Sequence, residues 1–202
     1  MNPPKGETKD EPLGQRIDAR ASWRKRENAK KAKEKADLLF PSEDWNEIEN
    51  GIFLSPNRTV GKNSGFDDEF LDAQILRDLG STVYLVPESS RQAGKKHDAI
   101  VDGMVFEFKN VGGNANTLVT QFLKSRSQAP NVFINLDTSN LSREEAISAL
   151  YGARNSKTHT DRKGHVIKGY ADRNRFDGGR IVLKVRGVEN LIYLKVDGLK
   201  AP

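Results

Sequence analysis

The stretch HDAIVDGMVFEFKN, His97 to Asn110, sets one acid before an apolar run and Glu-x-Lys near the end of the next. Asp102-Gly103 stands between the runs. That dipeptide suits a two-residue hairpin turn, whose central residues need positive φ. Such a turn pairs Val101 with Met104, Ile100 with Val105 and Ala99 with Phe106, and it sets Asp98 opposite Glu107. Side chains alternate along a strand, so Val105, Glu107 and Lys109 share one face, with Glu107 and Lys109 about 7 Å apart. Two carboxylates opposed on a sheet repel each other. A divalent cation between them resolves the conflict. Mg2+ suits the place, because it takes one or two carboxylates and fills its shell with water and phosphate oxygens. Lys109 beside them can stabilise negative charge developing on a phosphate. The chemistry this predicts is phosphodiester hydrolysis. The competing reading is a plain hairpin whose exposed acids are neutralised by Lys109.

The elements around the hairpin follow from periodicity and punctuation. In FDDEFLDAQILRDLG, Phe66, Phe70, Ala73, Leu76 and Leu79 recur at helical spacing, acids crowd the first turn, and Gly80 closes the helix. STVYLVP reads as a strand ended by Pro87. A second helix carries Leu118, Val119, Phe122 and Leu123, and NVFINLD reads as a buried strand. Ser142 stands three before Glu145, a capping box opening a third helix. RIVLKV and LIYLKV close the chain as a hairpin. Upstream, residues 1–14 read as disordered, and 15–39 as a helix rich in Ala, Lys, Arg and Glu, either a solvated linker or an arm on nucleic acid. EDWNEIENGIFLSP predicts a turn of helix and a short strand. The division expected is a charged, flexible or helical segment over residues 1–40 and a catalytic domain over 41–202. The fold class is α/β (α+β).

Charge is distributed unevenly. Lys/Arg outnumber Asp/Glu eleven to seven in residues 1–40 and eight to three in 151–180, whereas acids lead sixteen to ten in 41–150. An acidic centre between basic flanks suits a cation site that handles a polyanion. The chain has no cysteine, which excludes disulfides, thiolate zinc and cysteine nucleophiles. No apolar run reaches the ~18 residues of a membrane helix, and the N-terminus has no secretory apolar core. The basic segment holds His159, Arg162, Lys163, His165 and Tyr170. These residues read as a substrate clamp, or, if His159 or His165 is a general base, as a metal-free ribonuclease centre; a solvated loop is the third reading. His97 reads as a sheet-end residue.

An acid on one strand, a turn and Glu-x-Lys on the next, with a helix before and after, resembles the PD-(D/E)xK nuclease superfamily. That resemblance implies a central mixed sheet with an αβββαβ core, here over Phe66 to Leu136. Asp98, Glu107 and Lys109 match its strand signature. It implies a first-helix acid, best matched by Glu69 with Asp68 and Asp72 as substitutes, and a polar residue on the second helix, Gln121 or Lys124. His97 stands where the superfamily has a loosely kept proline.

Residues 66–151 also resemble the C-terminal toxin domains of bacterial contact-dependent growth inhibition systems, through FLDAQILRDLGSTVYLVPES, HDAIVDGMVFEFKN and NVFINLDTSNLSREEAISAL. That resemblance implies a toxin nuclease delivered into the target-cell cytoplasm, with transfer RNA as the favoured nucleic acid and a cognate immunity protein as partner. The combined expectation is an RNA endonuclease. Asp98 and Glu107 bind Mg2+ or a similar divalent cation, Glu69 assists, and Lys109 stabilises the transition state. Gln121, Lys124, His159, Arg162, Lys163 and His165 bind substrate. A metal-free barnase-like or colicin-like ribonuclease, a metal-dependent DNase and a non-enzymatic nucleic-acid-binding module are the alternatives.

Overall fold

The computed structural model describes residues 13–60, 65–87, 97–155, 158–160, 163–168 and 179–196. In chain order the elements are α1 (Leu13–Leu39), β1 (Asn46–Glu49), β2 (Ile52–Leu54), α2 (Phe66–Asp78), β3 (Val83–Leu85), β4 (Ala99–Val101), β5 (Met104–Asn110), α3 (Ala115–Ser125), β6 (Asn131–Leu136), α4 (Arg143–Asn155), β7 (Thr158–Thr160), β8 (Val166–Lys168), β9 (Arg180–Val185) and β10 (Ile192–Lys195). From α2 to β6 the order is helix, three strands, helix, strand, as the sequence predicts. Eight strands form one mixed sheet in the order β1-β2-β3-β4-β5-β6-β9-β10, and β7 and β8 form a separate antiparallel ribbon.

The central hairpin keeps its predicted register. Asp102 and Gly103 both have positive φ, 49° and 83°. β4 then pairs with β5 through Val101–Met104, Ile100–Val105 and Ala99–Phe106 in antiparallel register. β5 and β6 run parallel, with Glu107 beside Val132 and Lys109 beside Ile134. β6 and β9 are also parallel, which joins the final hairpin to the sheet.

Helices cover both faces of the sheet. α2 packs Phe66, Ala73 and Leu76 against Val83, Leu85, Ala99, Val101, Phe106 and Phe108. On the other face α3 and α4 bury Leu118, Phe122, Ala146 and Leu150 over Val132, Ile134, Ile181 and Leu183. α1 covers Tyr84 and Ile100 of that same face with Ala32, Ala36 and the following Phe40. Register and alternation therefore set Val105, Glu107 and Lys109 between the part under α1 and the part under α3 and α4.

Two elements differ from expectation. Residues 46–54 form a β-hairpin, β1–β2, instead of a helical turn and one strand, because Asn50-Gly51 supplies a turn with Gly51 at φ 83°. The polar helix α1 is not wholly solvated: Ala32 and Ala36 are fully buried, since a methyl side chain lets its backbone approach the sheet closely. At the hairpin tip, a Cβ on Gly103 would sit 3.0 Å from Lys31 Cβ and 3.1 Å from its carbonyl oxygen, so glycine serves both the turn and the α1 crossing.

Candidate active site

The site grows from the point where the β4–β5 ladder breaks. Asp98 precedes β4, and its N–H donates to the carbonyl of Phe106 (3.1 Å), the residue that pairs with Ala99. A regular Asp98–Glu107 ladder pair is therefore not formed. Asp98 instead turns Oδ2 to accept from the Phe108 N–H (2.8 Å). Its carboxylate still lies against Glu107, close enough to perturb it.

Glu107 is 1% exposed. Lys109 Nζ is ion-paired to its Oε1, while Oε2 is buried with no hydrogen-bond partner among the described residues. Burial first and Asp98 second push the Glu107 carboxyl up to about 8, against the pull of Lys109. An acid held this way is short of positive charge. The pair fits a divalent cation: two carboxylates are adjacent, and one oxygen has no donor. Among the described residues, no group of three or more His, Cys, Asp or Glu is gathered as a cation site, so Asp98 and Glu107 would hold the ion with oxygens from water and substrate.

Of the first-helix acids, Glu69 is ion-paired to the buried Arg58. Asp72 is the fully buried one. It accepts from Asn135 Nδ2 (2.8 Å) and Asn110 Nδ2 (3.2 Å), which ties α2 to the ends of β5 and β6. Burial raises its carboxyl to about 7, with Asp68 and Asp98 adding to the shift. Sequence reasoning ranked Asp72 only as a substitute; its i+3 spacing from Glu69 was the available signal.

Gln121 is half-buried and Lys124 exposed on α3. With Thr117 and Thr120 they form one stripe of that helix, at the spacing i, i+3, i+4, i+7. His159 on β7 joins the stripe, its Nε2 lying 2.9 Å from Thr120 Oγ1. Lys163 and His165 are exposed in the β7–β8 ribbon and its turn. Arg162 and Tyr170 lie outside the described residues. His97 is 8% exposed, with its ring 5.8 Å from that of Phe40 at the sheet end. The structure thus brings together Asp98, Glu107 and Lys109, and separately Gln121, Lys124 and His159.

Residues 95–172 match the family described as the contact-dependent growth inhibition CdiA C-terminal domain. The match spans β4 to β8 and includes every candidate residue named above except those upstream of Lys95. It meets the resemblance read from residues 66–151 over their shared length. No curated protein matches the chain. Among solved structures, the chain is similar to a CdiA-CT/CdiI toxin and immunity complex from Burkholderia pseudomallei, at 18% identity and a TM-score of 0.48, covering 70% of this chain and 98% of that one.

Proposed function

We propose that this chain is a toxin endonuclease of interbacterial competition that hydrolyses phosphodiester bonds in RNA, with transfer RNA as the favoured substrate. The observation that carries the reading is the half-buried Asp98 set against the buried Glu107, whose Oε2 has no hydrogen-bond partner among the described residues, with Lys109 alongside. A Mg2+ ion, or a similar divalent cation, bound there would supply Lewis-acid polarisation of the scissile phosphate. Asp98 and Glu107 hold it. Lys109, with its side chain 22% exposed, stands where a phosphate can reach it and offsets negative charge developing in the transition state. Gln121, Lys124 and His159 form a polar stripe suited to the flanking sugar-phosphate backbone. Glu-x-Lys chemistry acts on phosphate and does not select the sugar, so RNA is assigned from the toxin resemblance. A nuclease of this kind endangers its own producer, which supports a cognate immunity protein as partner.

The test is cleavage of total transfer RNA and of plasmid in Mg2+, Mn2+ or EDTA, by the wild-type chain, Glu107→Ala and Lys109→Ala. Metal-dependent cutting of RNA is expected, with both variants folded and reduced at least about 100-fold. Cutting that survives EDTA would move the chemistry to His159 and His165. Binding without cutting by either polymer would leave a nucleic-acid-binding module.

A further inference from the structure

A residue outside the hairpin motif holds Asp98. Arg58 follows β2 in the segment Ser55-Pro56-Asn57-Arg58, which has no periodic pattern. The segment is nevertheless fixed. Ser55 N–H donates to the Leu85 carbonyl (3.1 Å), extending the β2–β3 pairing, and Arg58 N–H donates to the Ser55 carbonyl (3.1 Å). Ser55 Oγ donates to Glu43, and Asn57 Nδ2 donates to Glu43 Oε1 (2.9 Å). The Arg58 side chain is thereby directed inward, and the residue is 7% exposed. Nη1 donates to the Val86 carbonyl (2.5 Å) and reaches the Asp98 carbonyl (3.4 Å), while Nη2 pairs with Glu69. Val86 N–H also donates to the Asp98 carbonyl (3.1 Å). Asp98 is therefore anchored at its N–H, its carbonyl and its carboxylate.

We propose that Arg58 is a positioning residue of this site: its guanidinium bridges Glu69 on α2 to the backbone at Asp98 and so sets where the Asp98 carboxylate meets Glu107. Glu69 then acts through Arg58 and not on the substrate. The inference rests on Asp98 and Glu107 being the catalytic pair. Arginine suits the role because one planar fork reaches an acid and two carbonyls together, whereas a lysine ammonium is a point charge. Displacing a catalytic group by about 1 Å can cost on the order of 100-fold in rate.

The test compares wild type, Arg58→Lys and Glu107→Ala by thermal melting, amide hydrogen exchange and cleavage kinetics. Arg58→Lys keeps a cation for Glu69 and should fold. Exchange at the Val86 and Phe108 amides should quicken about tenfold or more, relative to sheet amides such as Ile134. Its kcat should fall about 10- to 100-fold with KM within about twofold. If Arg58→Lys does not fold, the Arg58→Gln/Glu69→Gln pair leaves no lone buried ion and carries the same measurements. Unchanged exchange at Val86 and Phe108 in a folded variant overturns the proposal. Because exchange is read without cleavage, the two ideas fail separately. Quickened exchange beside a fully active Glu107→Ala keeps the clamp and removes the catalytic reading. Unchanged exchange beside an inactive Glu107→Ala does the reverse.

Discussion

Glu107→Gln offers a stability test that needs no substrate. The Glu107 carboxyl is raised from an ordinary 4.5 to about 8, first by burial and then by Asp98. The folded state thus holds its proton more tightly than the unfolded chain does. Stability from this group is full below about pH 4.5 and is lost as pH rises toward 8. At about 1.36 kcal/mol per unit, the full span corresponds to roughly 5 kcal/mol. The gain from Gln is smaller, because the substitution removes the anion from Lys109 and the wild-type site relaxes around its charge. Without divalent cations, Glu107→Gln should be about 1–3 kcal/mol more stable than wild type at pH 8.5 and within about 0.5 kcal/mol of it at pH 4.5. Denaturant melts at several pH values read the difference, and Asp72, present in both proteins, cancels from it. Millimolar Mg2+ or Mn2+ should raise the wild-type midpoint at pH 8.5 and leave Glu107→Gln unmoved. A pH-independent difference would refute the electrostatic account. An equal cation effect on both proteins would refute the metal site.

Asp72→Ala leaves the buried amide of Asn135 and the more exposed amide of Asn110 without their shared acceptor. It should cost about 2–4 kcal/mol in denaturant melts at pH 5, and less at pH 8, where the wild type also bears the cost of a buried charge. Arg24, Lys25 and Arg26 are exposed on α1 with no ion pair among the described residues. Replacing all three with Gln should reduce the salt slope of nucleic-acid binding by about 2–3 and leave the melting temperature within about 2 °C. Fluorescence anisotropy across a salt series reads the slope, and an unchanged slope would show that α1 does not touch the polyanion.

The parts legible in the sequence are those set by short-range physics. Asp102-Gly103 dictated the turn, the turn dictated the register, and alternation placed Glu107 with Lys109. Helical periodicity found α2 and α3, and the capping box found α4: Ser142 N–H donates to Glu145 (2.8 Å) and Glu145 N–H to Ser142 Oγ (3.2 Å). The short strand expected here is β2, but β1 stands where a helical turn is expected, although Asn50-Gly51 is a turn signal, because NEIE lacks the apolar content of a strand and is largely exposed. Pairings between distant segments were out of reach. Nothing local reports that β9 lies parallel to β6, or that Arg58 meets carbonyls 28 and 40 residues onward. The ladder break at Asp98 was equally hidden, since it depends on where the chain goes before β4.

The treatment of the acids against the sheet separates structural need from the catalytic need proposed for this domain. Glu69 and Glu107 both stand beside a cation. At Glu69, which is only half-buried, the acid is held by an ion pair, and Arg58 also reaches two backbone carbonyls from its buried guanidinium. Asp72 is held as well, by two amide donors. At Glu107 the cation is a lysine at the edge of solvent, which meets one oxygen and leaves the other without a donor against a second carboxylate. At pH above about 8, where Glu107 is ionised, fold stability alone favours Gln at that position, which buries no charge and can donate to Asp98. Consistency across levels is the usual rule of a folded sequence, and local violations concentrate where a site must remain available to a ligand. In the proposed reading a divalent cation would supply the missing charge. The strain therefore belongs to the unliganded state, and the same substitution that relieves it should remove the activity.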